Sequence, residues 1–187
     1  MRAPGSYSRL LNFAWYQLLW FTAVLGTTQA LPVLCLLVIP HLLLVRNRGS
    51  ELALMAGTAV LGTLFDASLT LAGYYQFAAS DGGLPFPVWL PLIWIGFAGT
   101  LRHSMAFMVA RPKLMTFAAT VFAPLTYLAA QRLGAVSFPH GSIATALVIG
   151  LSWWVITPLL LRLEVLTRHP ETLWRQLFPC PRHRTEV

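Results

Sequence analysis

The stretch that decides the fold is residues 10–45, LLNFAWYQLLWFTAVLGTTQALPVLCLLVIPHLLLV, which lies between Arg9 and Arg46 and carries no formal charge. As a single α-helix, its 36 residues would measure about 54 Å, nearly twice the hydrocarbon thickness of a bilayer. The chain must therefore reverse within this stretch. Polar side chains, a glycine and a proline coincide at 26–32, so we predict a turn there between two helices.

The rest of the chain has the same apolar character. Of its 187 residues, 57% are hydrophobic and 10% are charged, whereas soluble domains carry about 25% charged residues. A soluble domain of this size needs a polar surface, and so few charges cannot supply one. The composition excludes an ordinary soluble globule and predicts a membrane protein.

We predict an all-α, polytopic membrane protein, a bundle of six transmembrane helices. The predicted spans are 10–27, 31–45, 52–76, 88–109, 114–131 and 143–161, which together make one domain over 1–162. Residues 163–187 are predicted to form a basic cytoplasmic tail. Its segment 173–178 has the apolar spacing of a short interfacial helix, and a solvated tail without structure fits it equally well.

Positive charges predict the orientation. Six spans place both termini on one side, and every Lys and Arg except Arg102 and Arg132 then falls on that side. Since cytoplasmic loops carry an excess of these residues, we expect both termini in the cytoplasm. The same placement explains the net charge of +7 without a nucleic-acid partner.

Several alternatives are disfavoured by individual residues. A cleaved signal peptide ending near Ala30 would need an apolar core, but Trp15 and Gln17 are too bulky or polar for one. Cys35 and Cys180 are expected at different depths and form no disulfide. No histidines show metal-ligand spacing in the sequence, so His41 and His140 are expected at interfaces or in loops, and we predict no cofactor and no metal.

Charged side chains occur inside two predicted spans. Asp66 lies in the third span, and Arg102 and His103 lie in the fourth, on helix faces otherwise lined by small residues. A charge at the bilayer centre costs about 2.5–3.5 kcal/mol, so such a residue usually has a partner. We predict a candidate intramembrane polar site, with Tyr127 of the fifth span and Gln17 of the first as further members.

Three interpretations of this polar site remain open. Asp66 and Arg102 can form a buried pair that only fixes helix register, or they can form a proton-linked or substrate-binding site. In the third interpretation Arg102 extends to the cytoplasmic face, while Asp66 is protonated or bonds to Thr63 or Thr70.

Tryptophans lie mostly near the ends of the predicted spans. The residues concerned are Trp15, Trp20, Trp89, Trp94, Trp153 and Trp154. An aromatic belt at the membrane interface is the expected role, and a lipid-lined pocket is the alternative.

A set of residues spread over 10–162 resembles a known family. These are Asn12, Gln17 and Trp20; Asp66 and Gly73; Trp89, Trp94, Phe97-Ala98-Gly99-Thr100-Leu101 and Ser104; Pro124 and Tyr127; Arg132-Leu133-Gly134-Ala135-Val136; and Trp153 and Pro158. They resemble an uncharacterised family of small proteobacterial inner-membrane proteins, a domain of unknown function. The resemblance implies no established activity and no catalytic residue. An association of such proteins with fatty-acid-modifying enzymes of the cyclopropane-synthase type implies a link to envelope lipid.

Three functions are compatible with the sequence. The first is a non-enzymatic accessory component that binds membrane lipid or partners such as other membrane proteins or lipid-modifying enzymes, with a homo-oligomer allowed. The second is a small transporter or lipid translocator that uses Asp66 and Arg102, which six helices can form more easily as a dimer. The third is an intramembrane lipid-modifying enzyme, which is disfavoured because histidine boxes, GxSxG and carboxylate clusters are absent from the sequence.

Overall fold

Helices make up most of residues 8–78 and 83–168, the residues that this computed structural model describes. The helices are α1 Arg9–Gly26, α2 Leu31–Leu44, α3 Arg48–Leu71, α4 Leu90–Leu101, α5 Ala106–Val109, α6 Pro112–Arg132 and α7 Ser142–Arg168. A 3-10 turn, Thr27–Ala30, joins α1 to α2. Two short strands, β1 Gln76–Phe77 and β2 Val136–Ser137, pair antiparallel. The all-α class is confirmed.

Four helical stretches are long and apolar enough to cross a membrane. They are Arg9–Leu44, Arg48–Leu71, Pro112–Arg132 and Ser142–Arg168, and α4 is a shorter apolar helix. Their outward faces carry large apolar side chains: Leu25, Val60, Phe122 and Leu151 are 62% to 70% exposed. Such a surface suits contact with lipid chains rather than water. The six membrane crossings stay a prediction.

The chain reverses between α1 and α2, where the sequence predicts a turn. Thr27 has a φ of 47°, which an ordinary helix cannot accommodate. The Trp15 indole donates to the Leu37 carbonyl at 2.6 Å, although a straight helix would separate these residues by about 33 Å. Helices α1 and α2 therefore form a hairpin. Asn47 then begins α3 by accepting a hydrogen bond from the Ser50 amide.

The predicted span 88–109 is wrong as one continuous helix, because α4 ends at Leu101. The His103 amide donates to Thr100, so the Gly99 carbonyl lacks the donor that a continuing helix would supply. The Asn12 amide group donates to that carbonyl at 3.0 Å, and its oxygen accepts from the Ser104 amide at 3.1 Å. A side chain from α1 thus stabilises the break.

The last helix is longer than predicted. The sixth span was expected to end at 161 and the tail to begin at 163, but α7 continues to Arg168. Its last turns are held inside the fold, because Glu164 is only 2% exposed and accepts hydrogen bonds from Arg102 and Arg168. The predicted interfacial segment 173–178 lies outside the described residues.

The bundle has two ends that differ in charge. Helices α1 and α3 begin, and α2, α4 and α7 end, at what we call the basic end. It carries Arg9, Arg46, Arg48, Arg111 and Arg168. The opposite end, here the strand end, holds β1 and β2. Between them, α4 packs against α1, α2 and α3, while α7 packs against α3 and α6.

Tryptophans fill the core of this bundle. Trp20, Trp89, Trp94 and Trp153 are each at most 7% exposed, and the rings of Trp94 and Trp153 stack with centroids 5.5 Å apart. For these four residues the expected aromatic belt is wrong, because they face the interior of the bundle. Trp154, at 55% exposed, does face outward.

Candidate functional site

Asp66 lies at the centre of a buried polar cluster near the strand end. The side chain is fully buried, and Oδ1 accepts hydrogen bonds from the hydroxyls of Tyr75 at 2.5 Å and Tyr127 at 2.6 Å. The indole of Trp94 donates to Oδ2 at 2.7 Å. We call these four residues the Asp66 cluster. None of the ion pairs found within 8–78 and 83–168 involves Asp66.

Four separate segments position the Asp66 cluster. Tyr127 comes from α6 and Trp94 from α4, and the indole of Trp94 lies directly over Gly62 of α3. A Cβ at Gly62 would approach the Trp94 ring to 2.0 Å, so only glycine allows this contact. Tyr75 immediately precedes β1, whose pairing with β2 ties the α3–α4 connection to the α6–α7 connection.

Tyr75 lies outside the helices and keeps its proton. Burial raises the pKa of its hydroxyl well above the ordinary value, and the adjacent Asp66 carboxylate raises the pKa further. The hydroxyl is therefore a hydrogen-bond donor. A carboxylate that accepts from three donors has most of its acceptor capacity filled, which stabilises it without a counter-charge.

A second buried cluster lies at the basic end and is built from charges. Glu51 of α3 faces His41 of α2, with 3.0 Å between Oε1 and Nε2, and His103, with 3.4 Å between the same oxygen and Nε2. Arg102 lies between Glu51 and Glu164 of α7. We call these five residues the Glu51 cluster. It joins α2, α3, α7 and the end of α4.

Arg102 uses all five of its N–H donors, within the Glu51 cluster and with Ser50 and Thr167 beside it. Nε donates to Glu164 Oε1 at 3.1 Å, and Nη1 donates to the carbonyl and hydroxyl oxygens of Ser50 at 3.0 and 2.8 Å. Nη2 donates to the Glu164 carbonyl at 3.0 Å and to the Thr167 hydroxyl at 2.8 Å. Glu51 lies farther from the guanidinium, with Oε2 at 3.5 Å from Nη1. Glu164 is therefore the principal counter-ion of Arg102.

A cavity of about 720 Å³ extends from the Asp66 cluster to Ser104, the residue after His103 of the Glu51 cluster. This volume is within the range of about 300–1,000 Å³ typical of ligand pockets. Helices α1, α4 and α6 supply most of its wall, and Trp153 adds a face from α7. The lining is largely apolar and aromatic, and Asp66 is the one charged residue among the described lining residues. Gln17 and Tyr127 add polar groups to the wall.

The cavity opens sideways. Helix α1 packs against α2 and α4, and α6 packs against α5 and α7, but α1 and α6 are not closely packed on each other over the described residues. Both helices nevertheless line the cavity, through Phe13 and Tyr16 on one side and Ala119 and Phe122 on the other. The gap between them faces the apolar outer surface, to which Phe122 also belongs.

The structure divides the predicted polar site into two parts. Asp66, Tyr127 and Gln17 line the cavity, whereas Arg102 and His103 belong to the Glu51 cluster at the opposite end. Of the three interpretations left open by the sequence, the direct Asp66–Arg102 pair is not found, because the two residues have different partners. The side chain of Arg102 points toward α3 and α7 at the basic end, where Glu51 and Glu164 lie, and Asp66 is satisfied by neutral donors instead.

The sequence did not identify three residues of the Glu51 cluster as members of a polar site. His41 was expected at an interface or in a loop, but it is 1% exposed inside the Glu51 cluster. Glu51 and Glu164 were not singled out because each lies near the end of an apolar segment. One signal was available. The whole chain has six acidic residues, and a buried cation needs an acidic partner, so each acidic residue within a helix is a candidate partner.

Four long apolar helices around two buried polar clusters define an all-helical protein with the features of a membrane-spanning bundle. Residues 9–159, more than half of the chain, match the family model described as protein of unknown function, DUF2878. The chain belongs to this family, which confirms the resemblance to a domain of unknown function. Comparison with curated proteins and with solved structures gives no match.

Proposed function

We propose that this protein binds the hydrocarbon chain of a membrane lipid in the cavity between α1 and α6. The observation that carries the proposal is the sideways opening of a 720 Å³ apolar cavity onto the apolar surface. A lipid chain could enter through that opening without passing through water. The role is that of a lipid-associated accessory component rather than of a transporter.

The polar groups of the cavity favour particular chemistry in the ligand. Asp66 is the only charge among the described lining residues, and neutral hydroxyl and indole groups surround it. A phosphate drawn into the cavity would meet this carboxylate with no compensating cation, which is unfavourable in a low dielectric. The cavity therefore suits a hydrocarbon chain and uncharged groups, while a charged headgroup stays outside.

The test is to fill the cavity. Ala119→Phe places a ring in the wall of the cavity, and Ala144→Phe is the matched control because Ala144 is exposed on α7 and does not line it. We expect lipid that co-purifies with the wild type, counted by mass spectrometry after detergent exchange, to fall sharply in Ala119→Phe and to persist in Ala144→Phe. Equal lipid retention in both folded variants would overturn the proposal.

Tryptophan fluorescence supplies an independent measurement. Trp20, Trp94 and Trp153 line the cavity yet are hidden from the outer surface. Lipids with brominated chains should quench their emission in the wild type and quench it less in Ala119→Phe. Quenching that is the same in both proteins would show that lipid chains do not occupy the cavity.

An enzyme that acts on lipid is the second candidate, and one observation favours it. Asp66 and Tyr127 are hydrogen-bonded and both line the cavity, so a proton donor and acceptor face the proposed ligand. Lipid profiles of a deletion strain complemented with wild type or Asp66→Asn distinguish the candidates. An enzyme predicts a profile that Asp66→Asn fails to restore, whereas a binding role predicts no missing lipid product.

We further propose that the bundle lies in the inner membrane with the basic end toward the cytoplasm. The support is the concentration of arginines at that end, which agrees with the preference of cytoplasmic loops for positive charge. Six crossings place the strand end outside. A reporter fused after Val187 tests this: we expect a fluorescent cytoplasmic reporter to be active and a periplasm-dependent enzyme to be inactive, and the reverse would contradict the orientation.

A further inference from the structure

Three side chains of the Glu51 cluster have the spacing of metal ligands. The distances from Glu51 Oε1 are 3.0 Å to His41 Nε2 and 3.4 Å to His103 Nε2, and the three ligand atoms all lie within 4.8 Å of one another. Two atoms bound to Zn²⁺ at about 2.0–2.1 Å in tetrahedral geometry are about 3.3 Å apart. The distances are close to those of a preformed site.

We propose that His41, Glu51 and His103 bind a divalent transition-metal ion, with Zn²⁺ as the reference ion. Two imidazoles and one carboxylate are a common ligand set for zinc and for ferrous iron. Three protein ligands leave at least one coordination position for water or another small ligand. The site is separate from lipid binding, and neither proposal depends on the other.

The charge balance leaves Glu51 available to a metal. Arg102 donates to Ser50, Glu164 and Thr167 at 2.8–3.1 Å, and its longer contact with Glu51 is to Oε2 at 3.5 Å, so Oε1 is the oxygen that faces the histidines. Glu164 also accepts from Arg168, which adds a second cation to that side of the cluster. Glu51 is thus the carboxylate that faces the two histidines.

Neighbouring residues pack against the His41 ring and hold it in position. The Trp15 indole stacks on it with ring centroids 4.5 Å apart and is itself fixed by its bond to Leu37. Gly99 makes this packing possible, because a Cβ there would lie 3.0 Å from Trp15 and 3.1 Å from His41 Cε1. Ligands held by surrounding packing bind a metal with little reorganisation.

A route for the ion is also present. The side chains of His41 and Glu51 are 0% and 4% exposed, whereas His103 is 22% exposed. His103 is also adjacent to Ser104, which lines the cavity. His103 is thus the ligand nearest to open space, although its Nε2 is itself buried, and an ion would enter past this side chain.

Metal titration of the full chain, purified without a histidine tag and stripped with a chelator, tests the proposal. Co²⁺ is the probe, since tetrahedral cobalt absorbs visibly, and Zn²⁺ should displace it. We expect one equivalent in the wild type and affinity lowered by at least about 100-fold in His41→Gln, Glu51→Gln and His103→Gln. His140→Gln is the matched control, because His140 is exposed near the strand end, and it should bind like the wild type.

His103→Cys distinguishes the loss of a metal ligand from a failure of the variant to fold. A thiolate at this position should retain Co²⁺ and add a sulfur-to-cobalt charge-transfer band that the wild type, with its own Cys35 and Cys180, lacks. That band would support the site. An absence of stoichiometric binding in the wild type, unchanged affinity in His41→Gln and His103→Gln, or no new band in folded His103→Cys would each show that the three residues form only a hydrogen-bonded ionic cluster.

Discussion

The two ends of the bundle bury polar groups in opposite ways. At the strand end a single carboxylate, Asp66, is surrounded by two hydroxyls and an indole, and no cation of residues 8–78 or 83–168 forms an ion pair with it. At the basic end the carboxylates Glu51 and Glu164 both contact Arg102, and Glu51 also contacts two histidines. A lone buried charge is stabilised by oriented neutral donors. In a buried group of charges, the positive and negative charges must instead compensate one another. Removing one member should therefore lower the free energy of unfolding more at the basic end than at the strand end.

Arg102→Met should have the largest effect. It removes the principal counter-ion of Glu164, which then keeps only the half-exposed Arg168, and it leaves the Ser50 and Glu164 acceptors without their buried donor, so we expect a loss of about 3–5 kcal/mol in the free energy of unfolding. Unfolding in detergent, followed by helical circular dichroism, measures it. Arg162→Met is the matched control, since Arg162 is exposed on α7, and it should behave like the wild type. Equal stability of the two variants would contradict the ionic network.

Asp66→Asn should have the next largest effect, a loss of about 3 kcal/mol in the free energy of unfolding. The amide carries no charge to strengthen the three hydrogen bonds, and its NH₂ group must face a donor on one side. Tyr127→Phe removes only one of these bonds and should cost about 1.5 kcal/mol. The same unfolding measurement applies to both. If Asp66→Asn were as stable as the wild type, the cluster would not depend on a charged acceptor.

Gly62→Ala tests the packing beneath the Asp66 cluster. The added methyl group would overlap the Trp94 ring, and moving that ring would lengthen its bond to Asp66, so we expect a loss of about 1–3 kcal/mol. Gly57→Ala is the control, because a methyl group there meets only the flexible end of Leu163. It should change the free energy of unfolding by less than about 1 kcal/mol. A neutral Gly62→Ala would show that Trp94 is loosely held.

Arg168→Ala should have the smallest effect, although Arg168 also contacts Glu164. Its side chain is 51% exposed, so solvent screens the pair and the expected loss is under about 1 kcal/mol. Arg102 and Arg168 both contact Glu164. Comparing the two variants therefore measures how much a buried and an exposed cation each contribute to stability beside the same carboxylate. Similar losses in the two variants, measured by unfolding in the same detergent, would contradict that distinction.

The sequence was informative where a single segment decides the outcome. The helix break at 26–32 follows from polar residues and a proline in an uncharged run that is too long for one span. Asp66 was identifiable because a carboxylate within an apolar helix needs local partners. Gly62 belongs to the face of small residues that Asp66 shares, and the structure places the Trp94 ring against it.

Other features depend on contacts between distant segments. The break after Leu101 is stabilised by Asn12, and nothing in residues 88–109 alone distinguishes it from a continuous helix. The convergence of His41 and His103 on Glu51 likewise requires three elements to pack together. Sequence spacing could not show it, because ligands on different helices have no characteristic separation along the chain.

The length of α2 has a consequence for the surrounding membrane. The helix has 14 residues, about 21 Å of rise, against a hydrocarbon layer of about 30 Å. Its large apolar side chains face outward on most sides, with Leu36 and Leu43 more than half exposed. With α2 as one of the six predicted crossings, lipids beside it would have to compress to match it, so a bilayer would be thinnest along one flank of the bundle. The protein should accordingly accumulate in regions of membrane with shorter acyl chains.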